Sequence, residues 1–169
     1  MNKQELHNTD KITYSGVVNI KSVHGEHRFH NNGTEKLFKF LRDVMLSREF
    51  NYQRLPAYVQ LYSSTSDISA TLKEGTLPDD GVESILSSMV PVERIESGNN
   101  IQYRYLFVKS QFRRTYDSAS KPNWYICLLA GNQRDIYAYI PLTEENAKTV
   151  STSSQSLLTW TITIDNANT

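Results

Sequence analysis

The chain has 169 residues and sets 18 Lys and Arg against 18 Asp and Glu, a formal net charge of zero. That length predicts one domain, large enough to bury a core without disulfides or metals. The charge balance argues against a broad phosphate-binding surface, which needs an excess of Lys and Arg, and the single cysteine cannot form an internal disulfide.

Residues 1–10 are polar and unpatterned, read as a flexible arm, and lack the apolar core of a secretory leader. A strand follows from Ile12 to Lys21, with Ile12, Tyr14, Gly16, Val18 and Ile20 on one period-2 face. Gly16 inside it points to a bulge or a close backbone approach. Residues 23–27 read as a turn, and Arg28-Phe29-His30 as a second strand. Asn31-Asn32-Gly33 breaks the pattern and Thr34 is a suitable N-cap. Leu37, Phe38, Leu41, Val44 and Met45 then recur at helical spacing, widened by Phe40, and predict an amphipathic helix over residues 35–48 that packs on the sheet.

Residues 57–62 form the next predicted strand, and 63–81 a long polar loop ending in the turn residues Pro78-Asp79-Asp80-Gly81. Val82 to Ile95 reads as a strand interrupted by Pro91, which places it on an edge or at a bulge. Residues 101–108 alternate cleanly, with Ile101, Tyr103, Tyr105 and Phe107 together. A polar loop spans 113–123. The run Trp124–Leu129 reads as a strand covered on both faces, paired in a hairpin with 135–141. One helical turn is expected at 143–147, and a last strand at 157–164 with Leu158, Trp160, Ile162 and Ile164 on one face. The expected fold is mostly β. It is an antiparallel β-sandwich, jelly-roll- or Ig-like, of about eight strands with one packed amphipathic helix, in a single domain over 11–169.

No residue cluster specifies catalysis. His24, His27 and His30 are spaced three apart, but in a strand His27 points away from the other two, so no metal site is assigned. Asp79-Asp80 and Glu144-Glu145 read as solvated or helix-starting carboxylates rather than an acid–base pair. Cys127, inside an apolar run, reads as a buried thiol. Tyr103-Arg104-Tyr105 and Arg113-Arg114 with Tyr116 interleave basic and aromatic residues, as single-stranded nucleic-acid binders do; the neutral charge favours a solvated sheet face or a protein interface instead. Trp124 and Trp160 read as core. No catalytic, cofactor-binding or metal residue is assigned, and the candidate interface residues are Tyr62, Asp79, Asp80, Arg113, Arg114 and Tyr116.

The motif order adds a resemblance. Ser15-Gly16-Val17-Val18-Asn19-Ile20-Lys21, then His30-Asn31-Asn32-Gly33-Thr34, then Leu37-Phe38-Lys39-Phe40-Leu41 open the chain; Asp135–Ile140 and Gln155–Ile164 close it. This order resembles small virion proteins of tailed bacteriophages, particularly crAss-like gut phages, over residues 11–165, although 63–100 match no part of it. The resemblance implies a non-enzymatic structural protein, made in a bacterial cytoplasm and built into a virion. It would form a homo-oligomeric ring in the tail or neck below the portal. Its expected partners are copies of itself and portal, tail or capsid proteins, with DNA incidental and no membrane. The alternative is a capsid auxiliary or decoration protein, or a receptor- or carbohydrate-binding module of the virion.

Overall fold

Period-2 alternation of apolar and polar residues builds most of the backbone. The computed structural model describes residues 12–45 and 55–166; the expected arm at 1–10 and the last three positions of the helix expected over 35–48 lie outside the described residues. In chain order the elements are β1 (Ile12–Ser22), β2 (Gly25–His30), β3 (Asn32–Gly33), α1 (Glu35–Met45), β4 (Pro56–Ser64), α2 (Ser69–Glu74), β5 (Val82–Met89), β6 (Glu93–Ser97), β7 (Asn100–Val108), β8 (Asn123–Ala130), β9 (Ile136–Leu142), α3 (Glu144–Thr152) and β10 (Gln155–Asn166). Two antiparallel five-stranded sheets result, ordered β2-β1-β10-β7-β6 and β3-β9-β8-β4-β5.

The mostly-β expectation stands, with corrections. There are ten strands among the described residues rather than about eight, and three helices rather than one. The expected 63–81 loop contains the end of β4 and all of α2, and the single turn expected at 143–147 extends into α3. The segment around Pro91 is two strands. β5 is the edge of one sheet and β6 the edge of the other, so Pro91 lies where the chain crosses between them and its missing N–H costs no ladder bond. Gly16 marks a close approach and not a bulge. The β1–β10 register runs unbroken through it, while a Cβ there would collide with the Asn31 side chain.

The two sheets share a core. Val18 and Ile20 of β1, Tyr103, Tyr105 and Phe107 of β7, and Leu158, Trp160 and Ile162 of β10 meet Val59 and Leu61 of β4, Ile126 and Leu128 of β8, and Ile140 of β9. Each large apolar side chain buried there contributes about 1.5–3 kcal/mol. Ala147 and Val150 of α3 join the same cluster.

The β3-β9-β8-β4-β5 sheet is also covered on its far side. Ile68 and Leu72 from the α2 region pack on Tyr62, Tyr125, Cys127, Leu129 and Tyr139. Leu37 and Phe40 of α1 pack on Ala130 and Tyr137, with the Phe40 and Tyr137 rings stacked at 5.3 Å. Burial on both faces explains why β8 is apolar at nearly every position. Phe38, expected in the packed stripe of α1, is instead 54% exposed.

Among the described residues, no helix and no second sheet packs on the outer face of the other sheet. The register places Thr159, Thr161 and Thr163 of β10 beside Asn19, Val17 and Ser15 of β1 and beside Arg104, Gln102 and Asn100 of β7. No buried cluster draws on these side chains. Polar pairs lie flat across this face: Arg104 with Glu93 at 2.8 Å, the Asn19 amide donating to the Glu26 carboxylate, and the Thr163 hydroxyl donating to the Asn100 carbonyl oxygen at 2.5 Å. Its apolar members include Val17, Leu157, Leu106, Val108 and Ile95.

Candidate functional site

The two long polar segments expected from sequence meet in space. The chain leaving β4 and the turn entering β5 supply Ser63, Thr65, Gly81, Val82 and Glu83 to one side of a cleft of about 380 Å³. The segment between β7 and β8 supplies Arg114, Thr115, Asp117, Ser120 and Pro122 to the other, and Trp124 at the start of β8 lies at its inner end. Three anchors fix this arrangement. The Arg113 amide donates to the Ile85 carbonyl at 2.9 Å, which pins the loop along the edge of β5. Arg114 clasps both oxygens of Glu83, at 2.6 and 2.5 Å. The Tyr116 amide donates to the Ser151 hydroxyl of α3 at 3.1 Å.

Aromatic packing supports the cleft from within. Phe112 stacks on Trp124 at 6.5 Å and Tyr116 meets the Trp124 ring edge-on at 5.5 Å. Trp124 is buried, and its enclosed indole N–H has no acceptor among the described residues. Asp117 accepts from the Ser120 hydroxyl at 2.8 Å and the Ala119 amide at 2.9 Å. Those two bonds favour the carboxylate form and lower its pKa below the ordinary aspartate value. The cleft therefore offers two carboxyl groups, one guanidinium and the hydroxyls of Ser63, Thr65, Thr115 and Ser120 above an apolar inner end.

The predicted interface residues distribute unevenly. Arg114 lines the cleft, while Arg113, Asp79 and Asp80 are exposed beside it, the two aspartates just before Gly81. Tyr116 is half-buried under the loop. Tyr62 is only 6% exposed, because α2 covers that side of β4, and burial raises the pKa of its phenol well above the usual range. Its hydroxyl side borders a different hollow of about 510 Å³, between α1, the end of α2 and the β8–β9 turn, which includes the Lys36–Asp135 pair at 3.6 Å. In Tyr103-Arg104-Tyr105 the tyrosines are core and only Arg104 faces out, so no basic–aromatic surface stripe forms there.

Reading residue by residue missed Glu83 and Asp117. Asp117-Ser118-Ala119-Ser120 has the residue types of a side-chain-capped turn, which is a local signal; nothing local ties Glu83 to Arg114, 31 positions away. His27 is half-buried on the inner side of β2, opposite Ile20, while His24 sits in the turn and His30 faces outward opposite Val17. No group of three His, Cys, Asp or Glu residues suited to a metal ion gathers among the described residues. Cys127 is fully enclosed, and burial pushes its thiol pKa far up. Glu144 and Glu145 occupy the first turn of α3, where the helix dipole favours them. No helix among the described residues is long and apolar enough to cross a membrane. Compared with protein-family models, with curated proteins and with solved structures, the chain matches none of them.

Proposed function

We propose that this chain is a non-enzymatic structural protein of a tailed-phage virion. In this reading its two sheets form a β-sandwich that assembles into a homo-oligomeric ring in the tail or neck below the portal, through protein–protein contacts. The motif order of the sequence suggests the class, and the outer face of the β2-β1-β10-β7-β6 sheet carries the reading. One sheet is covered on both sides while the other presents threonines, amides and internally paired charges over five strands. Such a surface supplies many directional groups, with the apolar Val17, Leu106, Leu157, Val108 and Ile95 among them, to a matched partner. A chain of zero net charge meets copies of itself without long-range repulsion. Head-to-tail contacts between copies close into a ring when the rotation per subunit fits.

Native mass spectrometry and negative-stain microscopy of the full chain over a range of concentrations test the proposal. The expected result is a closed ring of one defined copy number. Thr161→Lys, at the centre of that face, should dissolve the ring while leaving the circular dichroism spectrum and unfolding midpoint unchanged. A chain that stays monomeric throughout, and that fails to co-purify with portal or tail proteins, overturns it.

A further inference from the structure

We propose that the cleft between the 63–83 and 113–124 segments is a saccharide site that holds one or two sugar rings. The cleft lies between loops and not on the outer face of the β2-β1-β10-β7-β6 sheet, so its occupancy is read separately from assembly through that face.

The volume, about 380 Å³, falls at the small end of the range for small-molecule sites. Charge excludes the simplest rival. Two carboxylates, Glu83 and Asp117, outnumber the one guanidinium of Arg114 in the lining, so a phosphate or uronate would meet net repulsion. A bare cation is also poorly served: no group of three His, Cys, Asp or Glu residues suited to a metal ion gathers among the described residues.

A neutral sugar fits both halves of the chemistry. Its vicinal hydroxyls are at once donors and acceptors. The Glu83–Arg114 ion pair takes such a pair in charge-assisted hydrogen bonds, stronger than neutral ones. Arg114 and Glu83 are each about half-exposed, so their outer donors and lone pairs remain open to a ligand. The hydroxyls of Thr65, Thr115 and Ser120 stand around them. Val82 and Pro122 supply the apolar side against which the C–H face of a pyranose packs, with the buried Trp124 behind them. Gly81 leaves its portion of the wall open. With φ at +78° it holds a backbone shape that suits glycine, and the nearest atom to a Cβ placed there would be the Thr65 hydroxyl at 4.0 Å.

Nuclear magnetic resonance titration of the full chain tests this, using a panel of neutral mono- and disaccharides with glucuronate and inorganic phosphate as anionic comparators. The expected result is a saturable shift confined to the amides of residues 81–83 and 114–120 with at least one neutral sugar. Asp117→Asn and Arg114→Lys should each weaken that binding at least about tenfold, about 1.4 kcal/mol, with the remaining resonances unmoved. Asp117→Asn keeps the side-chain oxygen that caps the turn, so its spectrum separates lost binding from lost folding. The proposal is overturned if no neutral sugar produces a saturable shift, if the anions bind in preference, or if both variants bind as well as the parent.

Discussion

Gly16 sits where no side chain fits. A Cβ on it would fall 1.5 Å from the Asn31 side-chain oxygen, and the Asn31 amide donates to the Gly16 carbonyl at 3.0 Å. Gly16→Ala should therefore cost about 1–3 kcal/mol, the usual range for overpacking, read as a lowered urea midpoint. Adding Asn31→Ala, which deletes the colliding atoms, should shrink the penalty of Gly16→Ala, and a double-mutant cycle measures the coupling. Equal penalties in both backgrounds would show that the close approach is not the cause. The sequence left a bulge or a close approach open at Gly16; which of the two, and which residue approaches, was not legible, because Asn31 arrives only once the β1–β2 hairpin has closed. Tyr62 is a second such residue. Aromatic and polar at once, it reads as an interface residue, and only the docking of α2 turns it into core.

Among the elements, legibility followed periodicity. The helical stripe of α1 and the unbroken apolar run of β8 both announce themselves, since one face or two must be hidden. The helix α2 gave no such signal: it is six residues long with Leu72 as its buried anchor, and serines, threonines and aspartates surround it. Likewise α3 outruns its expected end because Thr149, Ser151, Thr152 and Ser153 all donate their hydroxyls back to carbonyls one turn earlier. Residues that look like a loop by composition thus satisfy their hydroxyls on the helix's own carbonyls, while Ala147 and Val150 anchor α3 in the core. The best-anchored helix end belongs to α1. Thr34, fully buried, accepts from the Leu37 amide at 3.3 Å and donates to the Ile136 carbonyl at 2.5 Å, so one hydroxyl both caps the helix and fastens it to β9. Thr34→Ala should cost about 2 kcal/mol, from a lost cap and an orphaned carbonyl together. Thr34→Ser should restore most of it. Thermal unfolding followed by circular dichroism checks both, and a neutral Thr34→Ala would refute the double role.

For the molecule as a whole, burial sets an alkaline limit. Cys127, Tyr62 and Tyr105 hold their protons because the folded interior penalises the charged forms. Their pKa values are raised on folding, so the unfolded chain sheds these protons first and stability falls as pH rises. The loss begins near the ordinary thiol pKa of about 8.5 and deepens past the ordinary tyrosine pKa of about 10, each group adding about 1.4 kcal/mol per pH unit. Urea midpoints measured from neutral pH upward should trace that decline. Cys127→Ala should delay its onset into the tyrosine range, and an unchanged onset would show that the thiol does not contribute. The candidate cleft belongs to this scale too. Its residues span positions 63 to 124, so no window of sequence contains it; the sheet order alone brings its two sides together.

The pairing of β1 with β10 also sets a schedule. β10 is the central strand of its sheet, flanked by β1 on one side and β7 on the other. During synthesis, β1, β2, β6 and β7 leave the ribosome before the strand that joins them exists. They must wait as two separate ribbons, inner faces exposed, until residues 155–166 emerge to close a contact between Ile12 and Asn166. A sheet that cannot be completed until its central strand arrives keeps its two flanking ribbons unjoined until then, and closes in a slow, long-range final step.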